Sequence, residues 1–361
     1  MFSVMTANWQ DFQPIWRGEL SDYVTAIAWL PNSQFLAASS AAGEVMLLPI
    51  GMAESVTLQG PTGQSIDCLA VSQDGQFVAA GGQAGTVKIW RVTSAIPELI
   101  AALENKPAWV DRMAWSPTTN QLAFSLGRYG QVWDAESNTI ETTLNFEASS
   151  VLGLDWHPAG HFLALCGRQG TRVWNASDWD DDPKTLEIPT ASVAIAWSCD
   201  GRYLANGNLD GTLMMVEWQL PDNPWVMRGF PGKVRQLAWS QPVTATGSPL
   251  LASCSAESVV VWERDTDESI GWASQVLEAH EATVQAIAFQ PNTLLLASAA
   301  EDGWVCLWRN AEQLTQVLDG APNGFSCLSW HPQGQLLSAG GQNGELLIWS
   351  QSATGKGFSK R

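Results

Sequence analysis

A histidine, a serine and an aspartate lie together in "HEATVQAIAFQPNTLLLASAAEDGWVCLW", residues 280–308. His280, Ser298 and Asp302 are the residue types of a hydrolase triad, in which the imidazole takes the serine proton and the carboxylate orients the ring. Other candidates for chemistry are weaker. "SDWDDDP" spaces Asp178, Asp180 and Asp182 as calcium ligands, but Pro183 stands where such a loop needs Gly and Pro189 where it needs Glu. It reads as a solvated connecting loop. "ATGKG" lacks the upstream Gly and the following Ser or Thr of a phosphate loop. His157 and His331, both in "WHP", and His161 read as polar residues of surface turns rather than zinc ligands. Six scattered cysteines form no C-x-x-C pair and read as buried free thiols. No cofactor or metal site is expected.

Whether His280, Ser298 and Asp302 can act on a substrate depends on the elements that hold them. The chain repeats itself eight times. "VTAIAWLPNSQFLAASS", "IDCLAVSQDGQFVAAGG" and "VQAIAFQPNTLLLASAA" are three versions of one pattern, with its first anchor at Trp29, Val71, Trp115, Trp156, Trp197, Trp239, Phe289 and Trp330. Seven steps of 42, 44, 41, 41, 42, 50 and 41 residues separate them, the longest holding the insertion "PVTATGS". Each unit reads as three short strands punctuated by Gly, Pro, Asn and Asp turns. Units three and four read with shortened third strands. A closing position falls at Leu48, Trp90, Trp133, Trp174, Val216, Trp262, Trp308 and Trp349, and segments such as "SVTLQG" and "LTQVLDG" supply a fourth strand between units.

Four-strand units of about 40 residues ending in Trp make the chain resemble the WD40-repeat family from Phe12 to Trp349. Only unit three keeps a literal Trp-Asp, Trp133 and Asp134, and units one and five close on Leu48 and Val216. The expectation is an all-β fold: one propeller domain over 1–361, with repeats at about 9–351 and a flexible tail at 352–361. Eight four-stranded blades are expected, the alternative being seven blades plus an irregular unit. The last unit lacks a fourth strand, while "FQPIWRG" precedes the first unit unpartnered. The N-terminal strand should therefore complete the last blade and cover its edge.

The resemblance gives the histidine, serine and aspartate another role. At these positions in WD40-like blades, His bridges Asp and Ser, and Ser meets the closing Trp. His280, Ser298, Asp302 and Trp308 are thus implied to form a buried structural network, which leaves no access for substrate. The resemblance also implies a partner-binding narrow face carrying Tyr23, Asp67, Trp109, Asp111, Arg128, Arg168, Lys233, Arg235, Gln285 and Glu301, with Thr25, Gln83 and Gln342 beside them. An exposed Trp near Arg has the composition of an interface hot spot.

Charge narrows the partner. With 36 acidic and 18 basic residues, a formal charge of -18 and no polybasic run, the surface disfavours nucleic acid. No segment has the roughly 18 apolar residues of a membrane span, and "MFSVMTANWQDF" has no signal-peptide pattern. The sequence therefore reads as a non-enzymatic, cytoplasmic scaffold, monomeric by itself, that binds protein or peptide partners, acidic ones at the basic group around Lys233 and Arg235. The alternatives are a permanent subunit of a larger complex, and a small-ligand or enzyme propeller using the central channel.

Overall fold

The computed structural model describes residues 11–31, 35–49, 54–94, 96–147 and 149–351. Strands form where the alternating apolar runs predict them, as at Val24–Trp29, Ile66–Val71 and Val284–Phe289. The described residues contain no helix, so none is long and apolar enough to cross a membrane. Each repeat is an antiparallel meander in which the closing residue stands opposite an aliphatic side chain of the second strand. Leu296 faces Trp308, Leu251 faces Trp262 and Val78 faces Trp90. Leu48 and Val216 occupy the same register opposite Leu36 and Leu204, so the two repeats without a closing Trp keep the geometry with a smaller apolar group.

Among the described residues, hydrogen bonding groups the strands into seven sheets, six of four strands and one of six. The six-stranded sheet contains repeats four and five. Phe162–Asn175 pairs through its first half with Val151–Trp156 and through its second half with Lys184–Trp197. Positive φ values of 72° at Gln169 and 112° at Gly170 belong to a tight turn between those halves. Lys184–Trp197 is shared in the same way, and its second half opens repeat five by pairing with Tyr203–Asn208. The innermost strands of the eight repeats touch in sequence, and Phe325–Trp330 closes onto Val24–Trp29. The ring thus has eight repeats in seven sheets, the fused pair being its irregular unit. The third strand of unit three is not short: Tyr129–Asp134 has 6 residues, and the shortening lies in the turn before it.

Closure uses the N-terminal strand. Phe12–Glu19 pairs with Glu345–Gln351, from Phe12 opposite Gln351 to Glu19 opposite Glu345. Phe12 is 1% exposed and meets Trp330 edge-on at 5.5 Å. Its backbone N–H and C=O both bond the Gln316 side chain of repeat seven, at 2.8 Å each. The expected tail at 352–361 lies outside the described residues.

Neighbouring repeats are joined by one recurring bond. The anchor Trp donates its indole N–H to the carbonyl just before the anchor of the preceding repeat. Trp29 bonds Ser329, Trp115 bonds Ala70, Trp156 bonds Ala114, Trp239 bonds Ala196 and Trp330 bonds Ala288, at 3.0 to 3.3 Å. The fused junction departs from this. Asp155 replaces the small residue, its carboxylate accepts the backbone N–H of Trp197 at 2.8 Å, and Trp197 Nε1 has no partner among the described residues. Burial pushes Asp155 up to about 7, against the lowering effect of the N–H groups it accepts.

Of the turn histidines, His161 is exposed as expected, whereas His331 is buried and His157 half-buried. His331 is 4% exposed and packs edge-on against Trp29 at 5.1 Å, while His157 meets Trp197 at 4.9 Å. At both positions the turn after the inner strand leans on the anchor Trp of the next repeat, which draws the imidazole into the seam. His161 stacks on His157 at 6.2 Å. Among the cysteines, Cys68, Cys166, Cys254 and Cys306 are buried, Cys327 is half-buried and Cys199 is exposed in a turn. Burial pushes Cys166, Cys254 and Cys306 up to about 12, so these three remain thiols.

Two predictions follow from closure and from the fused junction. Removing residues 1–18 takes away the outer strand of the last sheet together with Phe12, a side chain whose loss alone costs about 3–5 kcal/mol. The thermal midpoint should fall by several degrees, and an unchanged midpoint would show that the ring closes without this strand. At the junction, folded Asp155 holds its proton more tightly than an unfolded aspartate, which titrates near about 3.9. Stability should therefore decline as pH rises from about 4 to about 7, by roughly 2–4 kcal/mol from this group. Asp155→Asn should flatten that slope relative to the unmodified chain and raise the midpoint at pH 8. Parallel pH profiles for the two proteins would refute the assignment.

Candidate functional site

The histidine, serine and aspartate do form a hydrogen-bonded chain. His280 Nδ1 lies 2.9 Å from Asp302 Oδ2, and His280 Nε2 lies 2.8 Å from Ser298 Oγ. Trp308 Nε1 donates to the same hydroxyl at 2.9 Å. One protonation pattern satisfies every atom: Nδ1–H donates to the carboxylate, the serine O–H donates to Nε2, and Ser298 Oγ accepts the indole proton. Asp302 also accepts the backbone N–H groups of Glu281 and Trp304 at 3.1 and 2.9 Å, which fixes the turn. These are the connections of a triad without the access of one, since Ser298 is 0% exposed. A nucleophile needs a substrate within reach, and the indole takes the place where one would approach. Repeat six keeps half of the arrangement, with Trp262 Nε1 donating to Ser253 at 3.0 Å. In repeat three Phe124 occupies the serine position, and Trp133 Nε1 has no partner among the described residues.

The residues expected on a narrow face lie at or just before the start of first strands or in the turns after second strands. In six repeats a residue at the end of the second strand, or just after it, donates its backbone N–H to a carbonyl leading into the first strand. Ala41 bonds Tyr23, Gln83 bonds Ser65, Ser125 bonds Arg112, Leu209 bonds Ala191, Glu301 bonds Thr283 and Gln342 bonds Gly324. Within six inner strands a β-bulge follows the first residue, leaving Thr25, Asp67, Leu152, Val193, Gln285 and Ser326 out of register. A bulge re-aims its extra side chain, so Thr25, Asp67 and Gln285 depart from the strict alternation of the strand.

The face divides by chemistry. Gln285 donates to Glu301 at 2.6 Å. Burial, with Cys327 and Glu301 nearby, raises the Tyr23 hydroxyl above its usual range, so Tyr23 and Glu301 share one arc. Asp67 accepts from Ser65 at 2.6 Å and is raised mainly by burial and then by Asp111 of the next repeat. Trp109 is the one exposed Trp among the described residues, at 55%. Arg128 and Arg168 flank the loop that joins repeats three and four, through Phe146 N–H to Arg128 O and Arg168 N–H to Ser149 Oγ, both at 3.0 Å. Lys233 and Arg235 are exposed one sheet further on. Arg128, Arg168, Lys233 and Arg235 form no ion pair among the described residues, whose Arg and Lys pairs are Arg91–Glu98, Lys106–Glu104, Arg172–Glu147 and Arg202–Glu217.

Sequence reasoning omitted three residues of this face. Leu209 is 53% exposed in the register position that holds Arg168 in repeat four and Glu301 in repeat seven, and that register alone would have found it. Tyr129 is exposed beside Arg128. Arg112 Nε caps Leu152 O of the next repeat at 3.1 Å, a tertiary contact with no local signal. Among the described residues no three His, Cys, Asp or Glu side chains converge as metal ligands would.

Comparison with known proteins agrees with the ring. The family model of the WD domain, G-beta repeat, matches residues 12–47, 53–91, 183–216, 271–309 and 312–350. Protein HIR1 of Cryptococcus neoformans is 26% identical over 253 residues, covering 58% of this chain and 28% of that protein. Protein transport protein SEC13-2 of Candida glabrata is 25% identical over 255 residues, covering 61% of this chain and 84% of its own length. WD repeat-containing protein slp1 of Schizosaccharomyces pombe is 28% identical over 221 residues, covering 58% and 43%. The chain thus spans less than a third of HIR1 and most of SEC13-2.

The sealed network leads to a test of stability rather than activity. His280→Ala or Asp302→Ala leaves buried partners unsatisfied, at about 1–3 kcal/mol each. Both variants should melt several degrees lower, and unchanged midpoints would mean that the hydrogen-bonded chain contributes nothing to the fold.

Proposed function

Because the chain belongs to the WD40-repeat family, we propose that it is a non-enzymatic scaffold that holds partner proteins on the narrow face of its ring. The observation that carries this reading is the composition of that face over repeats two to six. An exposed Trp109 accompanies four cations, Arg128, Arg168, Lys233 and Arg235, that are free of ion pairs among the described residues. A large aromatic with Arg nearby is what interface hot spots are made of. On a molecule of charge -18 these cations give the face a local sign opposite to its surroundings, which complements a carboxylate-bearing partner surface. Loops on a rigid scaffold suit recognition, and here every sheet is braced by both neighbours.

Tyr23, Asp67, Asp111, Gln285 and Glu301 would form the acidic and polar side of the contact. That arc supplies acceptors to a partner whose acidic portion meets the opposite arc. The chemistry-bearing residues give no support to an enzyme, since the one hydrolase-like constellation is sealed behind an indole.

The test is capture of partners by the tagged chain, with the captured proteins identified and quantified. Trp109→Ala and the double variant Lys233→Glu/Arg235→Glu should each reduce recovery about tenfold or more, the scale of a hot-spot loss. Their thermal midpoints should stay within a few degrees, since all three side chains are exposed. Full recovery of every partner by both variants would move the interaction to another face.

A further inference from the structure

Repeat four differs from repeats one, two, five, seven and eight in one respect that bears on recognition. In five other repeats the tight turn after the second strand is covered by the loop that follows the outer strand. Backbone atoms of Gln64, Ala108, Gly232, Ala321 and Leu20 lie against the turn glycines Gly43, Gly85, Gly211, Gly303 and Gly344. Repeat four has no such loop, because its outer strand runs straight into repeat five as Lys184–Trp197. Gly170 meets only the strand itself, at Leu186 and Ile188. An open cleft of about 560 Å³ lies over this turn, within the roughly 300–1,000 Å³ of clefts that hold ligands.

The chemistry of the cleft is specific. Arg172 is fixed on one wall, bonding Glu147 Oε2 at 2.9 Å and Asn145 O at 3.2 Å while its guanidinium sits 5.9 Å from the Phe146 ring centre. Its charge is already matched. Arg168 is exposed at the rim with no carboxylate partner among the described residues, and its backbone is anchored to Ser149. Thr185 stands opposite Arg172 and Glu187 opposite Gly170, so both face the same space. The cleft therefore offers one free planar cation, Arg168, and an exposed acceptor, Glu187, suited to a backbone N–H. Glu187 also disfavours a doubly charged anion.

We propose that this cleft receives an extended segment of a partner protein that takes the place of the missing loop and seats an Asp or Glu carboxylate on Arg168. This deepens the scaffold reading and rests on it. Arg and carboxylate pair through two parallel hydrogen bonds, which fixes the direction of the segment as well as its charge.

The experiment uses the full-length chain and fluorescent ten-residue peptides that carry Glu, Gln or phosphoserine at a central position between small apolar residues. Binding is read by anisotropy. The Glu peptide should bind about tenfold or more tightly than the Gln peptide, and Arg168→Glu should abolish that difference. Thr185→Trp, which fills the cleft from an exposed strand position, should abolish binding, and Arg168→Lys should weaken it only in part. The Lys233→Glu/Arg235→Glu variant should bind the Glu peptide as the unmodified chain does. Equal binding of Glu and Gln peptides, or no binding by any of them, would overturn the proposal. Tighter binding of phosphoserine than of Glu would overturn the carboxylate assignment. Loss of the Glu peptide in the Lys233/Arg235 variant but not in Arg168→Glu would place the acidic contact elsewhere on the face, leaving the scaffold reading intact and the cleft refuted.

Discussion

A four-stranded sheet with two apolar faces cannot cover either of them by itself. In this molecule each sheet is covered on both faces by its neighbours, and the recurring contact between neighbours is a tryptophan indole set against the preceding repeat. The ring supplies the indole N–H with a carbonyl from that repeat, and the acceptor residue is Ala or Ser because a larger side chain would hold the sheets apart. No sheet can be removed without exposing two apolar faces, so the last must meet the first. Pairing Phe12–Glu19 with Glu345–Gln351 satisfies this condition with the first and last described strands in one sheet. The fold is stabilised by interfaces between repeats more than by any single repeat, as expected of repeat architectures.

This constraint explains what the sequence reveals and what it hides. The anchors and closing residues were legible because apolar packing repeats at a fixed interval, and a closing Leu48 or Val216 was recognisable by position despite its different size. The closing strand was legible by bookkeeping, as one surplus matched one deficit. The fusion of repeats four and five was not, because "KTLEIPTASVAIAW" carries a proline that reads as a break, yet Pro189 sits within one continuous strand. His157 and His331 were misread for a similar reason. A turn residue appears solvent-facing in one dimension, whereas its burial is decided by the Trp of the following repeat.

The candidate site divides along the same line. His280, Ser298, Asp302 and Trp308 have the connectivity of a hydrolase triad, and nothing in their types or spacing separates the two meanings. Burial does, because a hydroxyl held between an imidazole and an indole at 0% exposure already donates its proton and accepts the indole N–H, with no room for a substrate. The narrow-face residues were placed by register, which carries position but not pairing. Asp67 and Asp111 were legible as neighbours along the ring, whereas Arg112 reaching Leu152 and Arg172 meeting Glu147 depend on how adjacent sheets are inclined.

The family matches sharpen the point. Each of the five begins at an outer strand and ends at the third strand of the next repeat, so the matching unit bridges two repeats. Residues 92–182 and 217–270 lie outside all five matches. They contain the orphaned Trp133 indole, most of the uncovered turn at Gly170, Asp155 in place of a small residue, Trp109, and the loop bearing Lys233 and Arg235. Local departures from a repeating rule cost stability, and a ring braced on both sides tolerates them where they serve recognition. Here they fall on consecutive sheets, and the free cations and the exposed Trp fall among them. The regular repeats hold the ring closed, which leaves the irregular ones free to differ from one another, and a surface must differ from its own repeat before it can single out a partner.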